Sequence, residues 1–172
     1  VVEKLLAVAG IQVNQADNEE CTPLYMACQN GHSKVVEKLL AVAGIQVNQA
    51  DNVECTPLFM ACQNGHSKIV KMLLAVDGIQ VNQAKNDGWA PLNFACQEGH
   101  SKVVEMLLAM DDIQVNQATN KGSTPLNAAC YGGHSIVVKK LLAVDDIQVN
   151  QADNDGFAPL YVACEKGHLK VV

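Results

Sequence analysis

The side chains whose types and spacing most suggest chemistry are five cysteine–histidine pairs, each in the pattern Cys-x-x-x-His. Such a spacing could suit a metal ion or a thiolate–imidazole pair. A glycine precedes the histidine in every copy and is expected to end the helix, so the two residues need not share a face. Five copies also favour a structural role over five active sites. We therefore expect no catalytic site, metal or other cofactor, and expect each histidine to bond backbone at the turn between helices. The pairs are Cys28/His32, Cys62/His66, Cys96/His100, Cys130/His134 and Cys164/His168.

The elements that position these pairs recur every 34 residues. The segment CTPLYMACQNGHSKVV at 21–36 returns in related form from residues 55, 89, 123 and 157. A period of this length is typical of a solenoid, in which each unit is stabilised by stacking on its neighbours. We divide the single domain 1–172 into a partial repeat 1–20, full repeats 21–54, 55–88, 89–122 and 123–156, and a partial repeat 157–172. The five segments from Cys21 onwards are called units 1 to 5.

Local signals within a unit predict two short helices. In unit 3, Pro91 suits the first turn of a helix, and Gly99 suits its end. The next helix carries an apolar stripe from Val103 to Met110. Thr22, Thr56 and Thr124 are good N-caps, whereas Ala90 and Ala158 lack a capping side chain. The stretch 113–116 alternates like a short extended segment and is followed by a turn.

Composition narrows the classes of partner. The formal charge is −6, with 18 acidic residues, and all 12 basic residues are lysine. Because arginine is the side chain best suited to phosphate and guanine, we expect no nucleic-acid partner. No apolar run is long enough to span a bilayer and no signal peptide precedes the first repeat, so we expect no membrane association. The seven cysteines predict reduced thiols and a cytoplasmic or nuclear location. Cys21 and Cys55 are expected to be free surface thiols.

The register T-P-L-x-x-A-C-x-x-G-H-x-x-V-V-x-x-L-L, followed by Val-Asn and a turn, closely resembles the ankyrin repeat along the whole chain. The resemblance implies an all-α solenoid of helix-turn-helix units linked by β-turn or hairpin-like loops. It also implies a non-catalytic module that binds a partner protein or peptide through its concave surface. The alternative is a structural spacer or designed stacking scaffold without a dedicated ligand. An enzyme is the least favoured class, since no asymmetric set of acid, base or nucleophile is present.

Two departures from the ankyrin pattern and one feature shared with it carry expectations. Each unit has one residue more than the usual ankyrin unit, which should lengthen the loop after the second helix. Glu20 and Glu54 replace the turn glycine found at Gly88, so the first two turns are expected to be strained and differently shaped. The asparagine of each Val-Asn pair lies where some ankyrin proteins are hydroxylated, but we favour a hydrogen bond across the turn. These asparagines are Asn14, Asn48, Asn82, Asn116 and Asn150.

Positions that differ between copies should line the concave groove. Large aromatic residues there, such as Trp89, Tyr131 and Phe157, would be anchors for a partner, or would pack sideways and stiffen the stack. The acidic residues Asp87, Glu98, Asp153, Asp155 and Glu165 favour a basic or polar peptide, although Lys121 and Lys166 interrupt them. The candidate partner-binding residues are Cys55, Phe59, Asp87, Trp89, Asn93, Gln97, Glu98, Lys121, Ser123, Asn127, Tyr131, Phe157 and Tyr161.

Neither end of the sequence shows a polar capping unit, so apolar residues should be incompletely covered there. We expect frayed ends or end-to-end self-stacking, unless the chain is an excerpt of a longer array. The residues concerned are Leu5, Leu6, Ile11 and Val13 at one end, and Leu160, Val162, Val171 and Val172 at the other.

Overall fold

The computed structural model describes all residues from 1 to 172 and contains ten α-helices and no strands. From unit 1 onwards the helices alternate between two rows. The first helices of the units form one row, and the second helices form the other. The helices are α1 Val2–Leu6, α2 Pro23–Gln29, α3 Ser33–Leu40, α4 Pro57–Gln63, α5 Ser67–Leu74, α6 Pro91–Gln97, α7 Ser101–Leu108, α8 Pro125–Gly132, α9 Ser135–Leu141 and α10 Pro159–Glu165.

The first helix of each unit begins at its proline, as predicted. The Thr56 hydroxyl accepts a hydrogen bond from the Phe59 amide at 3.1 Å, which satisfies one of the free donors at the helix start. Ala90 cannot do this, and the structure supplies another contact in its place. The Asn93 side chain turns back and accepts a hydrogen bond from the Ala90 amide at 3.0 Å. The missing threonine is therefore partly compensated within the same helical turn.

The second helices bury one apolar side and leave the other in solvent. In α7, Val103, Val104 and Leu107 are buried, whereas Lys102 and Glu105 are exposed. These side chains join a single core of 27 buried residues that runs through the stack. Adjacent first helices lie closer together than adjacent second helices do. The stack therefore curves with its first helices on the inside, and we call the turn tips and exposed sides of the first helices the concave face.

The loops after the second helices do not form the extended segments that the alternating pattern predicted. Residues 115–116 are in a turn, and their asparagine links neighbouring units instead. The Asn82 amide nitrogen donates to the Asp112 carbonyl at 2.7 Å, and its oxygen accepts from the Gln114 amide at 2.9 Å. The expected hydrogen-bonding role is confirmed, but the bonds reach the following unit rather than across one turn.

Four of the five histidines bond backbone, as expected, and each partner lies in the preceding unit, whereas the His32 ring makes no such bond. The His100 Nε2 atom is 3.0 Å from the Gln63 carbonyl oxygen. Because a carbonyl can only accept, Nε2 carries the proton. The same contact joins His66 to Gln29 at 3.1 Å and His134 to Gln97 at 2.8 Å. The ring approaches the glycine that ends the earlier helix so closely that a Cβ at Gly65 would lie 2.6 Å from His100 Nδ1.

The turn tips that lead into units 1, 2 and 3 have one shape. Glu20 and Glu54 have φ values of 66° and 68°, close to the glycine conformation expected at this position. Their hydrogen bonds match those of Gly88, which donates to the carbonyl three residues earlier, just as Glu54 donates to Asp51. The expectation of strain is confirmed in the backbone angle, but the expectation of a different turn shape is wrong. Bonds between successive turns, such as Asn86 N to Val53 O at 3.1 Å, hold that shape.

Apolar side chains are exposed at both ends, as expected for Leu5, Ile11, Leu160 and Val172. Val162 is an exception and is buried. Its position in α10 faces unit 4 rather than the open end, which is why the expectation was wrong for this residue. Self-association through the exposed residues stays a prediction.

Replacing Glu54 by glycine should stabilise the protein. Glycine adopts a positive φ without the steric penalty of a side chain, which stabilises the variant. Glycine also loses more backbone entropy on folding, which offsets part of this effect. We therefore expect the free energy of unfolding to rise by about 0.5–1 kcal/mol. Urea unfolding of Glu54→Gly and wild type measures the difference. The control, Gly88→Glu, should lose stability. If Glu54→Gly is less stable than wild type, the contacts of the Glu54 side chain stabilise the protein by more than its strained backbone angle destabilises it.

Replacing His100 by alanine should destabilise the stack. The Gln63 carbonyl would lose its partner inside a unit junction, at a cost of about 1–3 kcal/mol. His32 has the same sequence neighbours but makes no hydrogen bond to another unit, so His32→Ala is the matched control and should cost much less. Equal losses in thermal or urea unfolding would mean that the bond between units contributes little.

Candidate protein-binding face

The half of the concave face formed by units 1 and 2 is closed by its own side chains. Cys21, Tyr25, Cys55, Phe59 and Met60 form a second buried cluster there. The Tyr25 hydroxyl donates to Asp51 Oδ2 at 2.7 Å. Burial and this hydrogen bond both raise the pKa of Tyr25. The chain therefore fills this part of the groove with its own aromatic and sulfur-containing residues.

Four of the candidate partner-binding residues are buried, so the expectation that their side chains are open to a partner is wrong. Cys55 and Phe59 belong to the buried cluster just described. Asn93 donates to the Gln117 carbonyl at 3.0 Å, and Asn127 donates to the Phe157 carbonyl at 3.0 Å. The position after Pro-Leu lies at the junction with the next unit, where even a polar side chain is covered. Cys21 is also buried, so the predicted surface thiols are not on the surface.

The half formed by units 3 to 5 remains open. Tyr131 and Tyr161 are 54% and 52% exposed. Trp89 and Phe157 are half-buried because each packs against a neighbouring ring. The Trp89 and Phe94 ring centroids are 4.6 Å apart, as are those of Phe157 and Tyr161. Trp89 and Phe157 therefore each pack on a ring of their own unit, and the expected role of the aromatic residues as anchors for a partner stays a prediction.

A cleft of about 300 Å³ opens on this half of the concave face. It runs across three units, from the turn that begins unit 3 to the first helix of unit 5. Five candidate partner-binding residues line it, together with one member of the predicted acidic set and two residues that were not predicted to lie in the groove. The candidates are Trp89, Gln97, Ser123, Asn127 and Tyr131, the acidic residue is Asp153, and the two others are Ala128 and Val162. The signal for Ala128 was present in the sequence, because other units carry methionine, phenylalanine or valine at its position.

The remaining candidates are charged residues around this cleft. Asp87 forms an exposed ion pair with Lys85 at 2.6 Å, while Glu98 and Lys121 are exposed. The Lys166 ammonium lies 4.7 Å from the centre of the Tyr131 ring and 3.4 Å from a Glu165 carboxylate oxygen. A lysine above an aromatic face is a favourable arrangement for a cation. The Tyr131 ring, which lines the cleft, thus interacts with a lysine that does not itself line the cleft.

A known protein family with this repeat architecture matches the sequence along the whole chain. The sequence model of ankyrin repeats matches in three copies, at residues 1–51, 43–119 and 109–172. The chain belongs to the ankyrin-repeat family. Ankyrin repeats are in general protein–protein interaction modules without catalytic activity. A search of curated proteins finds no significant match.

In four of the five cysteine–histidine pairs of this ankyrin-repeat protein, all except Cys164/His168, the cysteine is packed in the core. Burial raises the pKa of the Cys28 thiol to about 12 and that of Cys130 to about 11. Four of the five histidines, His66, His100, His134 and His168, point to a carbonyl of the preceding unit instead of the cysteine. No group of three or more histidine, cysteine or acidic side chains is placed to hold a metal ion. None of the ten helices is long and apolar enough to cross a membrane.

One cysteine should dominate the reactivity of the native protein towards a thiol reagent such as DTNB. All seven thiols are free, but only Cys164 is exposed. The thiolate is the reactive form, and burial both blocks access and raises the pKa of Cys55 to about 11. We expect one fast thiol per chain at pH 8 and the other six only after unfolding. Cys164→Ser should remove the fast phase, and its persistence would contradict the assigned burial.

Proposed function

We propose that this ankyrin-repeat protein is a non-catalytic interaction module that binds a segment of a partner protein on the open half of its concave face. The observation that carries the proposal is the cleft between Trp89 and Tyr131. It lies where the copies differ most, whereas the side chains that stack the units are nearly constant. A scaffold that only needs to stack has no reason to vary these positions.

The exposed aromatic residues support a binding role for this surface. Tyr131 stands where the other units carry glutamine or glutamate, late in the first helix. Its ring is half exposed although a polar residue would be better solvated there. Tyrosine and tryptophan are enriched among the residues that contribute most to protein interfaces, because they present a large rigid surface with one polar group. Tyr161, with similar exposure, extends the same surface into unit 5.

The remaining features support a protein partner and oppose catalysis. Four of the five histidines that could act as bases donate from Nε2 to backbone, and most thiols that could act as nucleophiles are buried. The absence of arginine and the charge of −6 oppose binding to a polyanion such as nucleic acid. We also propose a reducing compartment, cytoplasmic or nuclear, because buried unpaired thiols are typical of proteins that fold there.

Capture of cellular partners with surface variants tests the proposed binding face. The variants Tyr131→Ala and Tyr161→Ala each remove an exposed ring from the concave face. Ile136→Ala and Leu142→Ala are matched controls, because they remove exposed apolar surface from the opposite row of helices. If the tyrosines are interface anchors, at least one tyrosine variant should lower recovery of a specific partner about tenfold or more.

Quantitative mass spectrometry of the captured proteins measures recovery, and urea unfolding shows whether each variant remains folded. Equal recovery with all four variants would contradict binding through the concave face. It would favour the alternative, in which the chain is a structural spacer. If only the Ile136 or Leu142 variant loses recovery of the partner, the interface lies on the row of second helices.

A further inference from the structure

We infer that the cleft on the concave face accepts an arginine side chain from the bound segment of the partner. The inference rests on the proposed function and specifies its chemistry. It combines three features: space created in unit 4, an acidic oxygen without a donor, and an aromatic wall that suits a planar cation.

The space comes from small side chains in unit 4. The first residue of the unit is Ser123, whereas units 3 and 5 begin with Trp89 and Phe157. The fourth helical position is Ala128, whereas units 1 and 2 carry Met26 and Met60 there. Unit 4 therefore has small side chains between units that carry larger ones. The cleft is the volume that larger side chains fill at the same positions in other units.

The unpaired oxygen is revealed by comparing two equivalent positions. Asp51 and Asp153 occupy equivalent places in the turns before units 2 and 5, and Oδ1 of each accepts hydrogen bonds from its own turn. Oδ2 of Asp51 accepts the Tyr25 hydroxyl. The residue equivalent to Tyr25 in unit 4 is Asn127, which is too short and donates to the Phe157 carbonyl instead. Oδ2 of Asp153 therefore accepts no hydrogen bond from the protein, and Asp153 is one of the residues that line the cleft.

The walls favour a cation that is flat. Trp89 and Tyr131 line the cleft with aromatic surface, and no lysine or histidine side chain lines it. Lys166 lies over the Tyr131 ring, but its charge is partly balanced by Glu165. A guanidinium group can stack on an aromatic face and donate to a carboxylate at the same time, which an ammonium group does less well. The volume is at the lower limit for small-molecule pockets and suits one long side chain.

Trp89 makes the cleft directly observable, because it is the only tryptophan in the chain. The probes are three peptides, Ac-Gly-Arg-Gly-NH₂ and its citrulline and tyrosine counterparts, titrated at constant ionic strength. Citrulline keeps the shape of arginine without its charge. We expect a saturable change in Trp89 fluorescence with the arginine peptide at millimolar concentration, and binding about tenfold or more weaker with the other two. Citrulline or tyrosine binding as well as arginine, or no saturation with arginine, would overturn the inference.

Three variants locate the response. Asp153→Asn keeps an oxygen for the hydrogen bonds of the turn but removes the charge, and should weaken arginine binding about tenfold. Ala128→Met inserts the residue found in units 1 and 2 and should abolish binding by filling the cleft. Met26→Ala, in the closed half of the groove, is the control and should leave binding unchanged. If Asp153→Asn and Ala128→Met both bind the arginine peptide like wild type, the site lies elsewhere.

The two proposals can fail separately. If the tyrosine variants lose a cellular partner while the arginine and citrulline peptides bind alike, the concave face is the interface but its cleft does not select arginine. If no concave variant affects partner recovery while the arginine peptide still binds in the cleft, the cleft recognises arginine but is not the main contact with that partner.

Discussion

The contact between adjacent units is the constraint on which the rest of this structure depends. An isolated pair of short helices can bury only part of its apolar surface, so each unit is stabilised by its neighbours. The junction combines a continuous apolar core with a hydrogen bond from a histidine to a carbonyl of the preceding unit. The ring passes so close to Gly65 that only glycine fits there. The distance between units, and hence the alignment of the concave face, follows from this contact.

The side chains that face the groove can therefore differ between units without changing how the units stack. Tyr25 and Asn127 occupy equivalent positions, yet Tyr25 closes the groove through Asp51, while Asn127 turns to a backbone carbonyl and leaves Asp153 open. Both side chains are buried and both satisfy their own hydrogen bonds. Their difference in length decides whether the groove is filled by the protein itself or is available to a partner. The contacts that stack the units are therefore separate from the side chains that open or close the groove.

Much of the fold could be predicted, because its signals are local. Proline at the first helical turn, threonine caps and glycine at the helix end determine where helices begin and stop. The stretch 113–116 was misjudged because alternation of apolar residues does not distinguish a strand from a turn that packs on the next unit. The shape of the turns at Glu20 and Glu54 was misjudged for a similar reason. Hydrogen bonds to neighbouring turns hold the backbone in a conformation that the residue alone disfavours.

The sequence by itself determined the repeat, the helical units, the family and the general place where copies differ. It could not decide which variable side chains are open. Cys55, Phe59, Asn93 and Asn127 belong to the variable set but are buried, whereas Tyr131 and Tyr161 are half exposed. The physical reason is that burial at a junction depends on the size of residues in the unit before and the unit after. Only the tertiary structure brings Trp89, Ala128 and Asp153 to one cleft, since they lie in three separate segments of the chain that meet only when the units stack.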